Sequence, residues 1–221
     1  MSINPLVAAE AIRKSYLNYI TTTFRFRDAG LQEQFESGLA KGAGFVKGPI
    51  LEATPYFEKG SSVAGLIAEG ILSERFNLLQ SSLLPLERPL YRHQEEAIRK
   101  LVVDRRNVVV ATGTGSGKTE AFLIPILNHL FREEEAGSLG PGVRALLLYP
   151  MNALANDQLK RLRELLRNLR QITFGRYTGE TERRHTVALE RCRQTFGTEP
   201  LANELISREQ MWETPPHILL T

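Results

Sequence analysis

The run Ala111-Thr112-Gly113-Thr114-Gly115-Ser116-Gly117-Lys118-Thr119 carries the densest chemistry in this chain. Three glycines on alternate positions allow the backbone to curl so that successive N–H groups point at one anion. Lys118 can then reach the β- and γ-phosphates of a nucleotide as a point charge, and the Thr119 hydroxyl can ligate Mg²⁺. Thr112, Gly113, Thr114, Gly115, Ser116, Gly117, Lys118, Thr119 and the helix-opening Glu120 form the nucleotide-facing set. The strict phosphate-loop pattern has Gly or Ala where this chain has Thr112. Everything else in the run fits a loop that takes a nucleoside triphosphate with Mg²⁺.

Such a loop must leave a buried strand and enter a helix. Asn107-Val108-Val109-Val110 reads as that strand, short, apolar and β-branched, and Glu120-Ala121-Phe122-Leu123-Ile124 opens the helix. The spacing predicts a helix over Tyr91–Val103, a strand over Val108–Ala111 and a helix over Lys118–Arg132. A loop follows at Gly137–Gly142, then a strand at Arg144–Tyr149 and a helix at Ala153–Leu169. A third strand is expected over Ile172–Tyr177, a helix at Glu182–Arg193 and a last strand from Ile218. Alternating helices and short apolar strands make an α/β layer fold with a parallel sheet.

The first part of the chain carries no chemical motif. Asn4-Pro5 is a helix start, Asp28 can cap a second helix ending near Gly38, and Ser61-Ser62 can begin a third running to Phe76. Residues 1–84 read as a small, mainly helical accessory region and 85–221 as the α/β domain, with Leu84-Pro85-Leu86-Glu87-Arg88-Pro89 as the boundary.

Composition narrows the class. A chain of 221 residues can bury a full α/β core. No apolar run approaches a membrane span, no secretory signal opens the chain, and the single Cys192 excludes an internal disulfide, so a reducing cytoplasm is expected. The four histidines show no metal-ligand spacing. A formal net charge of +3 does not by itself point to nucleic acid. Lys160, Arg161, Arg163, Arg167 and Arg170 crowd one predicted helix, and most of them read as a solvated face. Trp212 and Phe196 read as packing residues.

Four more segments flank the loop: Leu90-Tyr91-Arg92-His93-Gln94 upstream, Pro150-Met151-Asn152-Ala153-Leu154-Ala155-Asn156-Asp157-Gln158 after the second strand, Tyr177-Thr178-Gly179-Glu180 after the third, and His217-Ile218-Leu219-Leu220-Thr221 at the close. In this order they resemble the first RecA-like motor domain of superfamily 2 helicases of the DEAD/DEAH-like type, from about Leu86 onward. In finer texture they are similar to large bacterial helicases of phage-defence and genome-maintenance loci.

The resemblance implies roles. Gln94 would pair with the edge of adenine, selecting ATP, with Tyr91 or Arg92 stacked on the ring. Pro150, Asn152, Ala153, Leu154 and Gln158 would grip the phosphodiester backbone of the tracked strand, helped by Thr178, Gly179 and Thr221. The expected partner is nucleic acid, DNA in preference to RNA, with no membrane. In that family hydrolysis also uses an Asp-Glu pair ending a later strand and arginines from a second RecA-like domain. No strand here ends in Asp-Glu, so the sheet is expected to be incomplete and the chain to be the front of a longer motor, inactive alone. Partner subunits of a defence system would follow from the narrower likeness. The alternative is a short module that binds ATP or DNA without turnover. A small-molecule kinase is disfavoured by the Gln94 and Pro150–Gln158 segments.

Overall fold

A computed structural model describes residues 4–41, 56–113 and 115–221. The chain divides into two compact units, Met1–Tyr56 and Phe57–Thr221.

The first unit contains helices α1 (Pro5–Thr23) and α2 (Ala29–Lys41). Both start as their sequences dictate. Asn4 Oδ1 accepts the N–H groups of Leu6 and Val7, with Pro5 at the first helical position, and Asp28 Oδ1 accepts the Leu31 N–H. α2 runs past the stop expected at Gly38 to Lys41.

The second unit opens with an antiparallel pair, β1 (Lys59–Ser62) and β2 (Pro89–Tyr91), which the spacing of apolar residues did not announce. Between them lie α3 (Val63–Ala68), capped by the Ser62 hydroxyl, and a 3₁₀ turn over Glu74–Leu78. The single helix expected from Ser61 to Phe76 is thus two short pieces separated by Gly70, which adopts φ +74°. Val63, Leu66, Leu72, Phe76, Leu79 and Leu84 are buried in one cluster with Leu127, Phe131, Leu162 and Phe174. Phe76 meets Phe131 edge-on, with centroids 5.0 Å apart. The compact units therefore divide at Tyr56/Phe57, whereas composition suggested a boundary at Leu84/Pro85.

Helix α4 (Arg92–Val102) leads to the phosphate loop and helix α5 (Lys118–Glu135). α5 runs through Pro125, forgoing one backbone bond, because Leu123, Ile124, Leu127, Leu130 and Phe131 anchor it in the core. Four strands follow: β3 (Ala145–Leu147), β4 (Phe174–Arg176), β5 (Glu204–Leu205) and β6 (Ile218–Leu220). They form one parallel sheet in the order β3-β6-β4-β5. Helices α6 (Asn152–Leu165), α7 (His185–Phe196) and α8 (Arg208–Glu213) accompany it. A Cβ at Gly175 would fall 2.7 Å from the Leu205 carbonyl oxygen, so glycine is what lets β4 and β5 approach.

The expected strand at Val108–Ala111 is a correction. Residues 107–113 form no ladder among the described residues, and Val109 is 94% exposed. A strand exists only by pairing, and no neighbouring strand of the described sheet reaches this segment. The result is an α/β unit with a parallel four-stranded sheet and flanking helices, an incomplete RecA-like domain.

Candidate nucleotide and nucleic-acid site

Gly117 sits at the N-cap of α5 with φ +70°, and a Cβ there would lie 2.4 Å from Gln94 Nε2. The left-handed backbone favours glycine, and any side chain would also push the Gln94 amide aside. Gly115 shares the left-handed conformation at φ +76°. Lys118 Nζ donates to the carbonyls of Thr112 (2.9 Å) and Gly113 (2.7 Å), so its ammonium lies inside the curl of the loop. The Thr112 and buried Ser116 hydroxyls bond to each other at 2.7 Å, which gives the non-glycine at position 112 a local use. Thr119 follows in the first turn of α5, half-buried. Thr114 lies outside the described residues.

Gln94 is buried and wired to this loop. Its Nε2 donates to the Gly117 carbonyl at 2.7 Å and its Oε1 accepts the Tyr91 N–H at 2.7 Å. A longer 3.4 Å contact joins Nε2 to Glu120 Oε2. His93 adds a bond to the loop that its sequence position did not suggest, with Nε2 3.0 Å from the Ser116 carbonyl oxygen. Tyr91 stacks on His93, and Phe57 packs on both rings. Arg92 points elsewhere, paired with Glu58 at 2.7 Å and Glu96 at 3.1 Å on an exposed surface.

Glu120 is buried in the first turn of α5, where a carboxylate favours the helix dipole. It also accepts a 2.7 Å bond from Arg161 of α6 and lies 3.6 Å from Arg88. The basic crowding on and just after α6 was expected to be mostly solvated. Lys160, Arg167 and Arg170 are exposed, but Arg161 and Arg163 are not. Arg163, with an 11% exposed side chain, pairs with Glu204 at 3.1 Å and covers the Phe196 ring at 4.4 Å. Burial nonetheless pushes the Glu204 carboxyl above its ordinary range, Arg163 opposing it. Trp212, expected to pack, is 57% exposed.

Register gathers the second residue set. Leu147 and Arg176 both stand opposite Leu220, so the carboxyl ends of β3, β4 and β6 lie side by side. Tyr149 N–H donates to the Thr221 carbonyl (2.8 Å), Thr221 N–H to Leu147 (2.9 Å) and Tyr177 N–H to Leu220 (2.8 Å). Pro150, Asn152, Ala153 and Leu154 therefore project beyond the same sheet end as Thr178, Gly179 and Thr221, and the first four are exposed. Gln158 follows on α6, half-buried. Asn152 Nδ2 bridges to Glu180 at 3.0 Å, tying the two loops. Arg208 donates to the carbonyls of Thr178, Gly179 and Thr181 and covers Tyr177, holding the second loop in shape. Nothing in the residue spacing pointed to Arg208 or His93, because each acts through the fold.

Among the described residues no group of His, Cys, Asp and Glu could hold a metal, and no helix is long and apolar enough to cross a membrane.

The chain is 38% identical over 189 residues to the Druantia protein DruE of Escherichia coli, covering 78% of this chain and 10% of that protein. It is 35% identical over 129 residues to the ATP-dependent helicase Lhr-Core of Methanothermobacter thermautotrophicus, covering 57% of this chain and 14% of the relative. A shorter match, 45% over 65 residues, joins it to the ATP-dependent RNA helicase DBP10 of Chaetomium globosum. The chain thus spans roughly a tenth to a seventh of the first two relatives' length. The DEAD/DEAH box helicase family matches residues 91–215, more than half of the chain. On that match and on the loop, sheet and helix arrangement described above, the chain belongs to the DEAD/DEAH box helicases.

Proposed function

We propose that these residues are the ATP-binding front of a nucleic-acid helicase or translocase. The phosphate loop takes the triphosphate of ATP, Lys118 trades its two carbonyl contacts for phosphate oxygens, and Thr119 helps to hold Mg²⁺. Gln94 reads adenine. Its Oε1 keeps a spare lone pair and its Nε2 a hydrogen engaged only at 3.4 Å, which supports that role. Tyr91 is the proposed ring neighbour, since Arg92 is held by Glu58 and Glu96. The shelf of Pro150, Asn152, Ala153, Leu154, Gln158, Thr178, Gly179 and Thr221 grips the sugar-phosphate backbone of one strand.

The observation that carries this reading is the Glu120–Arg161 ion pair. It joins the first turn after the phosphate loop to the helix that begins at the shelf. This pair gives the two sites a direct contact path between the helices that carry them.

DNA as the preferred strand and a place in antiphage defence belong to the same proposal. They rest on the likeness to large bacterial helicases of such loci, with DruE a Druantia protein. The test is ATP turnover by the full-length protein with no polymer, with single-stranded DNA and with single-stranded RNA. Stimulation by DNA above RNA supports it. Stimulation by RNA alone overturns the DNA assignment, and binding of ATP without turnover favours a regulatory module.

A further inference from the structure

We infer that His93 is a positioning residue for the triphosphate: its imidazole fixes the last peptide groups of the phosphate loop so that their amides are aimed at phosphate oxygens before a nucleotide arrives. The inference rests on the reading of Thr112–Thr119 as a triphosphate cradle. It adds a residue outside that loop which sets how well the cradle is formed.

Ser116 is fully buried, so its carbonyl oxygen has to find a donor inside the protein. That donor is His93 Nε2 at 3.0 Å, and among the described residues no other group bonds to the oxygen. The next carbonyl, of Gly117, accepts from Gln94 Nε2 at 2.7 Å and more distantly from the Glu120 N–H at 3.3 Å. Two successive carbonyls of the loop are thus turned toward the first turn of α4.

A trans peptide is planar, with its N–H opposite its C=O. The Gly117 N–H therefore points away from His93, and the Lys118 N–H away from Gln94. Among the described residues neither N–H donates to a protein acceptor. Gly117, at φ +70°, supplies the left-handed step with which successive N–H groups converge on an anion.

The imidazole itself is held in place. Tyr91 stacks on it, with 5.8 Å between centroids and 19° between planes, and Phe57 packs on it at 5.6 Å and 61°. Helix α4 is anchored by buried Ala97 and Ile98 and by Glu95, which accepts the Ser61 N–H. His93 Nε2 carries a proton in order to donate to a carbonyl. A cradle set in advance by this donor loses less freedom on binding than one that the nucleotide has to order.

Ring and donor can be separated by substitution. His93→Phe keeps a flat ring against Tyr91 and Phe57 but removes the donor. His93→Gln removes the ring but keeps an N–H at the same bond separation from Cα. The experiment is calorimetric titration of Mg·ATP into the full-length protein and these variants. His93→Phe should weaken binding by roughly 2- to 12-fold, the loss of one neutral hydrogen bond, and His93→Gln should restore parental affinity. His93→Met, of the length of Gln but without its donor, gives the same comparison should the Phe variant not fold, and it should bind more weakly than His93→Gln. Parental affinity in the variants lacking the donor would overturn the inference. Equal losses with and without the donor would also overturn it, making the packing of the ring the cause. A parent that takes up no Mg·ATP sinks the cradle reading itself, whereas a parent that binds it with no difference between donor and non-donor variants sinks only the role of His93.

Discussion

Glu120 Oε1 lies 2.7 Å from Arg161 Nη2, with 10% and 23% of the two side chains exposed. The pair links α5 to α6 at a depth where neither charge is fully hydrated. Removing one partner strands the other, which costs more than the net value of the pair. Glu120→Gln and Arg161→Met should each lower unfolding stability by about 1–3 kcal/mol, and the double variant by clearly less than the sum. Urea denaturation of the four proteins checks this, and strict additivity would show that the contact is energetically idle.

The phosphate loop distinguishes its glycines. Alanine at Gly117 meets both φ +70° and Gln94 Nε2 at 2.4 Å, whereas a Cβ at Gly113 meets nothing within 4 Å. Left-handed backbone alone costs a non-glycine residue about 1–2 kcal/mol. Gly117→Ala should therefore reduce ATP affinity by about tenfold or more, and Gly113→Ala should reduce it less. Nucleotide titration of both variants decides, and equal losses would mean that crowding by Gln94 is not what fixes Gly117.

His217 gives the fold a pH dependence. Thr173 N–H donates to its Nδ1 at 2.9 Å, so the neutral ring carries its proton on Nε2, facing the Gly140 carbonyl oxygen at 3.2 Å. A second proton would have to enter at Nδ1, against that N–H. Burial foremost holds the imidazole below its ordinary pKa, Arg144 acts the same way, and the Gly140 carbonyl and Glu133 oppose them. The unfolded chain therefore binds the proton more readily than the folded one. This contribution is complete above about pH 6.5 and declines as pH falls towards the folded-state value. Thermal melts between neutral and mildly acid pH should show falling stability, with the slope reduced in His217→Gln.

Asn203 is a buried clamp. Its Nδ2 sits 2.9–3.1 Å from the carbonyl oxygens of Leu166, Leu169 and Ile172, which turn the chain from α6 into β4. Asn203→Ala removes the side-chain donor shared by the three, leaving Leu166 and Leu169 one backbone N–H each, and should cost about 1–2 kcal/mol. A loss of only a few tenths in the same urea assay would mean that the turn holds itself.

What the sequence made legible follows the range of the interactions. Helix starts were readable because a cap spans three residues: Asn4, Asp28 and Ser62 all do what their side-chain chemistry allows. The last strand and the long α5 were readable from apolar runs, even through Pro125. β5 was not, since two residues, one of them the buried Glu204, carry no periodic signal. The β1–β2 pair escaped because Lys59-Gly60-Ser61-Ser62 contains no apolar residue, and it is held in part by Glu95, which accepts the Ser61 N–H at 2.7 Å. Val108–Val110 misled in the opposite direction, having strand composition but no ladder. In the candidate site, the glycine-rich loop and its bond to Gln94 come from segments that stand out in the sequence, while His93, Glu120–Arg161 and Arg208 depend on chain segments brought together only by folding.

The most direct test is calorimetric titration of Mg·ATP into the full-length protein and into its Lys118→Ala variant. One saturable site in the parent, weakened at least about tenfold by the substitution, is the expected result. No heat of binding in the parent, or equal affinity in both proteins, would contradict a triphosphate cradle between Thr112 and Thr119.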